Sequence, residues 1–127
     1  MACPVALHPD GVPLRLPVFE HPKGGFQIVK GGIKEGERPK RAAARELIEE
    51  SGLQTRSALL LGTSEEIVSG ERWHFALCRV APPVRDRWQH LCADDGGLLL
   101  RFDWGPLDDA RLEGRFARAA AWIAAAL

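Results

Sequence analysis

Residues 31–53 read GGIKEGERPKRAAARELIEESGL, and this stretch decides how the rest of the chain is interpreted. It begins with two glycines, and its second half has the alanine, leucine and charged composition of a helix that stops at Gly52. Glu46, Glu49 and Glu50 are spaced i, i+3 and i+4, so a helix places their side chains on neighbouring turns of one side. Like charges at this spacing destabilise an isolated helix, which indicates that a cation neutralises them.

Mg²⁺ is the cation that suits this arrangement. It takes hard oxygen ligands in octahedral geometry and keeps several of its waters, so a few carboxylates and a carbonyl are sufficient. The alternative is a solvated helix whose charged residues pair with one another, each pair contributing about 0.2–0.5 kcal/mol. The glycines at fixed offsets from the carboxylates favour the metal site.

The spacing of these residues resembles the Nudix box. That pattern is a glycine, five residues, Glu, seven residues, Arg-Glu-aliphatic, one residue, Glu-Glu, one residue and Gly-aliphatic. The matching positions are Gly31, Glu37, Arg45, Glu46, Leu47, Glu49, Glu50, Gly52 and Leu53. With a chance of about 7% per letter, the seven invariant letters would coincide about once in 10⁸ trials. One departure lies outside the fixed positions: Val29 stands where many members have proline, which affects loop stiffness rather than a ligand.

The resemblance is to small, single-domain, MutT-like Nudix hydrolases of bacterial type. It implies an α+β fold in which one mixed β-sheet is sandwiched between helices (α/β/α), as a single domain over residues 1–127. The box helix is expected to begin near Glu37 or Arg38, with Pro39 in its first turn, and to end at Gly52.

The remaining elements follow from apolar patterns and turn residues. Residues 4–8 and 14–19 predict a hairpin, and Pro17 predicts that its second strand lies at an edge or carries a bulge. Residues 26–29 predict a short strand. Residues 57–68 and 72–80 predict a second hairpin, with an irregularity at Gly62. The last expected elements are strands at 87–90 and 98–104 and a helix at 107–126.

The resemblance also implies an activity, which is hydrolysis of a nucleoside diphosphate linked to another moiety, by attack of water on phosphorus. The implied metal ligands are Glu46, Glu49, Glu50 and the carbonyl of Gly31, with Mg²⁺ as the cofactor and Mn²⁺ as an alternative ion. The implied role of Arg45 is to orient the carboxylates, although it is adjacent to Glu46 and therefore does not share its helix face. Glu37 is expected to reach the same network.

The general base is left open by the sequence. Glu49 of the box is one candidate, and Glu65, Glu66, Asp94 and Asp95 are candidates on later segments, where a solvated surface charge is the favoured alternative. Close carboxylates raise one another's pKa until a metal binds. We therefore expect activity that rises towards alkaline pH and is lost with a chelator.

Substrate contacts are sought among aromatic and amphipathic residues outside the box. Trp73, His74 and Trp88 are the candidates that could stack on a base or sugar, and Phe75 and His90 have the same chemistry. For each of them, packing in the core is the favoured alternative. The sequence does not identify which nucleotide is bound.

Composition limits the class of partner and compartment. Lys and Arg number 17, equal to Asp and Glu, which disfavours a long nucleic acid and leaves a small nucleotide-derived substrate. No apolar run is long enough to span a membrane, and the N-terminus lacks the features of a signal peptide. Three scattered cysteines, with no paired spacing, indicate free or buried thiols in a reducing cytoplasm.

Two further expectations concern assembly and an alternative function. A homodimer is compatible with the resemblance, since many relatives dimerise. The alternative function is a nucleotide-binding regulatory or sensor module that has the same fold and little turnover. Retention of every box carboxylate favours hydrolysis over that alternative, because a module that only binds has no need for all of them.

Overall fold

The computed structural model describes residues 1–93 and 96–127, and that part of the chain forms seven strands and two helices. In chain order they are β1 (Ala2–Val5), β2 (Arg15–His21), β3 (Gly25–Ile28), α1 (Pro39–Ser51), β4 (Thr55–Ser64), β5 (Trp73–Val80), β6 (Arg87–Cys92), β7 (Leu98–Pro106) and α2 (Gly114–Ala126).

The predicted α+β class with a mixed sheet is confirmed, and a second, antiparallel sheet is present in addition to the mixed one. The first sheet has the order β1-β5-β4, with β1 parallel and β4 antiparallel to β5. The second has the order β3-β2-β7-β6 and is antiparallel throughout. Ala2 and Gly31 join the two sheets through reciprocal N–H···O bonds of 2.7 and 2.9 Å.

The two helices pack on opposite faces of the three-stranded sheet, because β5 alternates the direction of its side chains. Trp73 and Phe75 belong to the core cluster that contains α2 residues, whereas Ala76 and Cys78 belong to the cluster that contains α1 residues. The expected helices on both sides of a mixed sheet are therefore present. The α1 cluster also contains residues of the second sheet, namely Phe19, Leu100 and Phe102.

The predicted N-terminal hairpin is wrong. β1 pairs with β5, and β2 pairs with β3 and β7. All four residues of β1 are buried, so this short apolar run belongs to the core, at the edge of its sheet, rather than to a local hairpin. β2 is internal in the second sheet, but its pairing with β3 begins only at Val18. Pro17 therefore has a partner on one side, Trp104 of β7, which accommodates its missing N–H.

Local signals place α1 within two residues of its predicted bounds. Arg38 is the extended residue before the helix, and Pro39 occupies its first position, where an N–H has no intrahelical partner. Gly52 ends the helix in the left-handed conformation, with φ 76°, and donates its N–H to Ile48 O at 2.9 Å.

Two other boundaries differ from the prediction by four residues or more. α2 begins at Gly114 rather than at residue 107, because residues 107–113 form turns that contact the second sheet. β4 ends at Ser64 rather than at residue 68, and its predicted irregularity is confirmed by a register shift between Leu60 and Gly62. A side chain at position 62 would also crowd Trp122 of α2, whose ring stacks on Phe75 at 4.2 Å.

In the described ranges, neither helix is long and apolar enough to cross a membrane. Cys3, Cys78 and Cys92 lie buried as separate thiols.

Candidate active site

Gly31 lies against the first carboxylate of α1. A β-carbon at position 31 would overlap the Glu46 carboxyl group, so a larger residue there would displace that carboxyl group. The backbone of Gly31 is fixed by β1, since its N–H donates to Ala2 O at 2.9 Å and its carbonyl accepts from Ala2 N at 2.7 Å. The first strand therefore sets the position of the glycine loop relative to the helix.

The Arg45 guanidinium is the centre of the site. Its Nε donates to Glu37 Oε2 at 2.8 Å, and its Nη2 donates to Glu37 Oε1 and to Gly32 O, both at 2.9 Å. Its Nη1 donates to Glu46 Oε1 at 2.8 Å and to Glu49 Oε2 at 3.1 Å. All five of its N–H groups thus have acceptors. The long side chain reaches Glu46 although the two residues are adjacent, so the helix-face argument from the sequence does not hold for this pair.

The same contacts fix the charge states of two groups. The pKa of Glu37 is lowered to about 2, first by the hydrogen bond from Arg45 and then by the backbone N–H of Lys34. The pKa of Arg45 is raised, chiefly by its bond to Glu37. Glu37 is consequently an anion and Arg45 a cation across the physiological pH range, and together they join the glycine loop to α1.

The three box carboxylates have different surroundings. The Glu46 side chain is 13% exposed and the Glu49 side chain 49% exposed. Glu50 Oε2 accepts from the backbone N–H of Lys30 at 3.3 Å. Within residues 1–93 and 96–127, no group of three or more His, Cys, Asp and Glu side chains is arranged to hold a metal ion. Arg45 contacts Glu46 and Glu49 and supplies the neutralising charge there.

The oxygen-donor set nevertheless fits a hard divalent ion. Glu46, Glu49 and Glu50 provide carboxylates, and the backbone of Gly31 lies against Glu46, where a β-carbon would overlap the carboxyl group. The Gly31 carbonyl has a second lone pair beyond the one that accepts from Ala2. The predicted ligand set remains a prediction.

The C-terminal end of α1 is held by β6. Trp88 Nε1 donates to Ser51 O at 2.8 Å, and His90 Nε2 lies 3.1 Å from Glu49 O. A β-carbon at Gly52 would lie 2.8 Å from His90 Nδ1, so the glycine is required by this contact as well as by its φ. Nothing in the spacing of Trp88 and His90 predicted these contacts, because they join residues about 40 positions apart.

Trp73 is not accessible to a substrate, contrary to the prediction. It is fully buried in the cluster that includes α2, with its ring centroid 6.2 Å from that of Phe75. Trp88 is half-buried, stacks on Phe102 at 5.1 Å and 9°, and forms part of the wall of a cavity of about 470 Å³ at the end of α1. It lies beside open space, but its indole N–H is already used by Ser51.

His74 lies in line with the glycine loop. It is the register partner of Ala2, and Ala2 pairs on its other side with Gly31. With about 4.8 Å between neighbouring strands, His74 is about 10 Å from Gly31. Its Nδ1 is buried and, within the described residues, has no hydrogen-bond partner. Its pKa is lowered by burial, by the N-terminus and by Arg72. Of the three predicted substrate contacts, Trp88 donates directly to a box residue, Ser51, and His74 lies two strand spacings from Gly31.

The candidates for the general base that lie outside the box have other surroundings than Glu49. Glu65 accepts from Arg72 at 2.7 Å, in an ion pair that is more than 60% exposed on both sides, and Glu66 is exposed. Asp94 and Asp95 lie outside the described residues. Glu49 is the candidate that lies beside the other box carboxylates.

Arg111 forms a second cluster, which no pattern in the sequence predicts. It donates to both oxygens of Asp103 at 2.7 Å and to Asp109 at 2.7 Å, and its guanidinium lies 4.9 Å from the Phe26 ring centroid. The acids stand on a strand and in a turn, so no regular spacing connects them with Arg111. A cavity of about 500 Å³ adjoins this cluster; it is lined in part by Glu20, Phe26, Arg87, Gln89, Arg101 and Arg111.

Comparison with known proteins gives one family and one partial relative. A family model described as NUDIX domain matches residues 15–126. An RNA pyrophosphohydrolase from Psychromonas ingrahamii is 54% identical over 39 residues, which is 31% of this chain. The aligned part is 22% of that protein's length, so the chain matches about a fifth of it.

Solved structures share the architecture at low sequence identity. A C. elegans Ap4A hydrolase, in a binary complex, superposes with a TM-score of 0.65 at 16% identity, covering 98% of this chain and 95% of that one. A MutT structure from work on Aliivibrio salmonicida and Vibrio cholerae gives 0.68 at 16%, covering 99% and 96%. A MutT Nudix hydrolase from Burkholderia pseudomallei gives 0.55 at 22%, with 92% of each chain covered. At these identities the likeness concerns the fold alone.

Proposed function

The chain belongs to the Nudix hydrolase family, and from that premise we propose that it is a Mg²⁺-dependent pyrophosphohydrolase. Its substrate class is a nucleoside diphosphate linked to another group, and its reaction is attack of water on a phosphorus of the diphosphate. One observation carries the proposal: Arg45 gathers Glu37, Glu46 and Glu49 beside Gly31, where a β-carbon would overlap the Glu46 carboxyl group. A helix of ordinary surface charges would not need that glycine.

The ligands proposed for the ion are Glu46, Glu49, Glu50 and the carbonyl of Gly31. Mg²⁺ held there would neutralise phosphate oxygens and acidify a bound water. The protein's own contribution is alignment, because Arg45 and the strand partner Ala2 fix the carboxylates and the carbonyl before any ligand enters. Mn²⁺ takes the same oxygen ligands and is expected to substitute.

Glu49 is proposed as the general base. Its side chain is about half exposed, whereas Glu46 is largely covered, so Glu49 is the better placed of the two to reach a water molecule. Proton removal by a positioned carboxylate contributes about 10²- to 10⁴-fold to a rate. Arg45 Nη1 contacts both Glu46 and Glu49 and keeps them oriented towards the same space.

The substrate is proposed to be small. The cavity of about 500 Å³ lies next to Phe26 of β3, the strand that leads to Gly31, and it offers guanidinium and amide groups. Its volume is within the range of small-molecule sites. Zero net charge disfavours a long polyanion, so a short nucleotide is expected to be preferred over an RNA chain.

The test is a substrate panel assayed with Mg²⁺, with EDTA, and with Glu49→Gln. The panel contains a nucleoside triphosphate, a dinucleoside tetraphosphate, a nucleoside diphosphate sugar and a short RNA with a 5′-triphosphate. We expect release of a nucleoside monophosphate or pyrophosphate from at least one member, abolished by EDTA and lowered about 10²-fold or more by Glu49→Gln. Glu66→Gln, on an exposed segment, is the matched control and should leave the rate unchanged.

Two results would contradict the proposal. One is hydrolysis that continues in EDTA. The other is no turnover of any panel member together with tight binding of one of them, which would instead support a nucleotide-binding regulatory module.

A further inference from the structure

The last turn of α1 has backbone carbonyls that no helical N–H can satisfy. Ile48 O accepts from the N–H of Gly52, as is usual at a glycine stop. The carbonyls of Glu49 and Ser51 accept instead from side chains of another element. These two residues flank Glu50, so the helix segment that is held carries two of the three proposed metal ligands.

The two donors lie on one face of β6. Trp88 and His90 are separated by one residue, so their side chains project on the same side of the strand. Trp88 Nε1 is 2.8 Å from Ser51 O, and His90 Nε2 is 3.1 Å from Glu49 O. Because a carbonyl oxygen can only accept, Nε2 carries the proton in the His90 contact.

Each donor is itself fixed. The Trp88 ring stacks on Phe102, with centroids 5.1 Å apart and an interplanar angle of 9°. The His90 ring lies against Gly52, where any side chain would come within 2.8 Å of its Nδ1. β6 also pairs with β7 along its whole length, from Arg87 to Cys92. The contacts therefore connect the carboxylate helix to a rigid sheet.

We propose that Trp88 and His90 are positioning residues, which hold the carbonyls of Ser51 and Glu49 and thereby fix the Glu49 and Glu50 carboxylates relative to Gly31. The inference rests on the proposed function in so far as those carboxylates bind the ion. It gives β6 a part in metal binding, although no β6 side chain is itself a proposed ligand.

The first test is Trp88→Phe, which keeps an aromatic ring over Phe102 and removes the N–H donor. The matched control is Trp104→Phe, because Trp104 Nε1 donates to the carbonyl of Arg85 at 2.9 Å, away from α1. Mn²⁺ affinity of the nucleotide-free protein is measured by calorimetry, and unfolding temperature is measured alongside. Loss of outer contacts to a metal site lowers affinity by about 10- to 100-fold. We expect about 10-fold weaker Mn²⁺ binding for Trp88→Phe and unchanged binding for Trp104→Phe.

The second test uses His90. His90→Gln retains a side-chain N–H that can donate to Glu49 O, whereas His90→Leu retains bulk and has no donor. We expect His90→Leu to weaken Mn²⁺ binding about 10-fold and to lower kcat with KM little changed, and we expect His90→Gln to recover most of both. A purely structural role would lower the unfolding temperature of both variants without separating their metal affinities.

The outcomes also separate this inference from the proposed function. If the wild type binds Mn²⁺ and hydrolyses a panel substrate, but Trp88→Phe binds Mn²⁺ as tightly as Trp104→Phe does, the positioning role is overturned and the activity stands. If Glu50→Gln in the wild-type background leaves Mn²⁺ affinity unchanged, the proposed ligand set fails, and the positioning role fails with it.

Discussion

Arg45 and Glu37 form a two-point ion pair, with Nε 2.8 Å from Oε2 and Nη2 2.9 Å from Oε1. Glu37 stands in the loop before α1 and Arg45 in its second turn, so the pair fixes the loop on the helix. The same guanidinium contacts Glu46 and Glu49, which links loop position to carboxylate orientation. A planar, forked cation is needed for such geometry.

Arg45→Lys is therefore expected to be severe. An ammonium group is a point charge without the fork and cannot hold Glu37 at two points while it contacts Glu46 and Glu49. We expect kcat to fall by about 10- to 100-fold, measured on the best panel substrate under saturating Mg²⁺. Arg41→Lys is the control, on the exposed side of the same helix, and should keep wild-type kcat. Equal activity of the two variants would contradict the central role of Arg45.

The lowered pKa of Glu37 predicts a specific pH dependence of stability. Its pKa is about 2 in the folded chain and 4.5 ordinarily, so the stabilisation it gives is complete above pH 4.5 and is lost as pH falls towards 2. Glu37→Gln should therefore have a lower unfolding temperature than the wild type at pH 7, and the difference should shrink between pH 4.5 and 2. Thermal unfolding at several pH values checks this, and a difference that stays constant across the range would refute it.

Two neighbouring glycines offer a matched pair of substitutions. Gly31→Ala inserts a methyl group into the Glu46 carboxyl group, whereas Gly32→Ala meets no atom within 4 Å. We expect Gly31→Ala to displace the Glu46 carboxylate and so to lower Mn²⁺ affinity and kcat by at least about 10-fold, with little change in stability because the end of that side chain can move. Gly32→Ala should be close to wild type in metal titration and kinetics. Similar losses in both would show that general loop flexibility, rather than the approach to Glu46, is what matters.

The Arg111 cluster is expected to matter for stability. Arg111→Met leaves Asp103 and the nearly buried Asp109 without their cation, and we expect a loss of about 2 kcal/mol in the free energy of unfolding. Arg72→Met is the control, because its pair with Glu65 is more than 60% exposed on both sides and such pairs contribute at most about 1 kcal/mol. Urea unfolding of both variants gives the comparison, and equal losses would mean that burial of Asp109 is unimportant.

The sequence predicts correctly those elements whose ends are determined by neighbouring residues in the chain. Pro39 and Gly52 act on their own turns, so α1 was placed within two residues. The start of α2 was missed because residues 107–113 are shaped by Arg111, whose acid partner Asp103 lies on another element. The hairpin of β1 and β2 was wrong because β1 pairs in parallel with β5, about 70 residues later. Patterns within a short window carry no information about such pairing.

In the candidate site, too, the sequence predicts local relationships and misses distant ones. The fixed spacing of the box predicts the residues of the Arg45 network, because the loop and the helix are adjacent in the chain. The sequence does not distinguish among Trp73, Trp88 and His90 as aromatic candidates. The fold does, because Trp73 lies in the core while Trp88 and His90 reach the carbonyls of α1. That separation depends on which face of β5 or β6 meets which helix, and the face is decided by tertiary packing.

The reciprocal bonds between Ala2 and Gly31 bear on how this protein should be trimmed for experiments. The family match starts at residue 15, so a fragment cut to those limits would lack β1 altogether. Such a fragment would keep the whole box, but the backbone of Gly31 would lose both partners that anchor it. Bulky tags fused ahead of Met1, whose amino group donates to Arg72 O at 3.0 Å, would disturb the same corner.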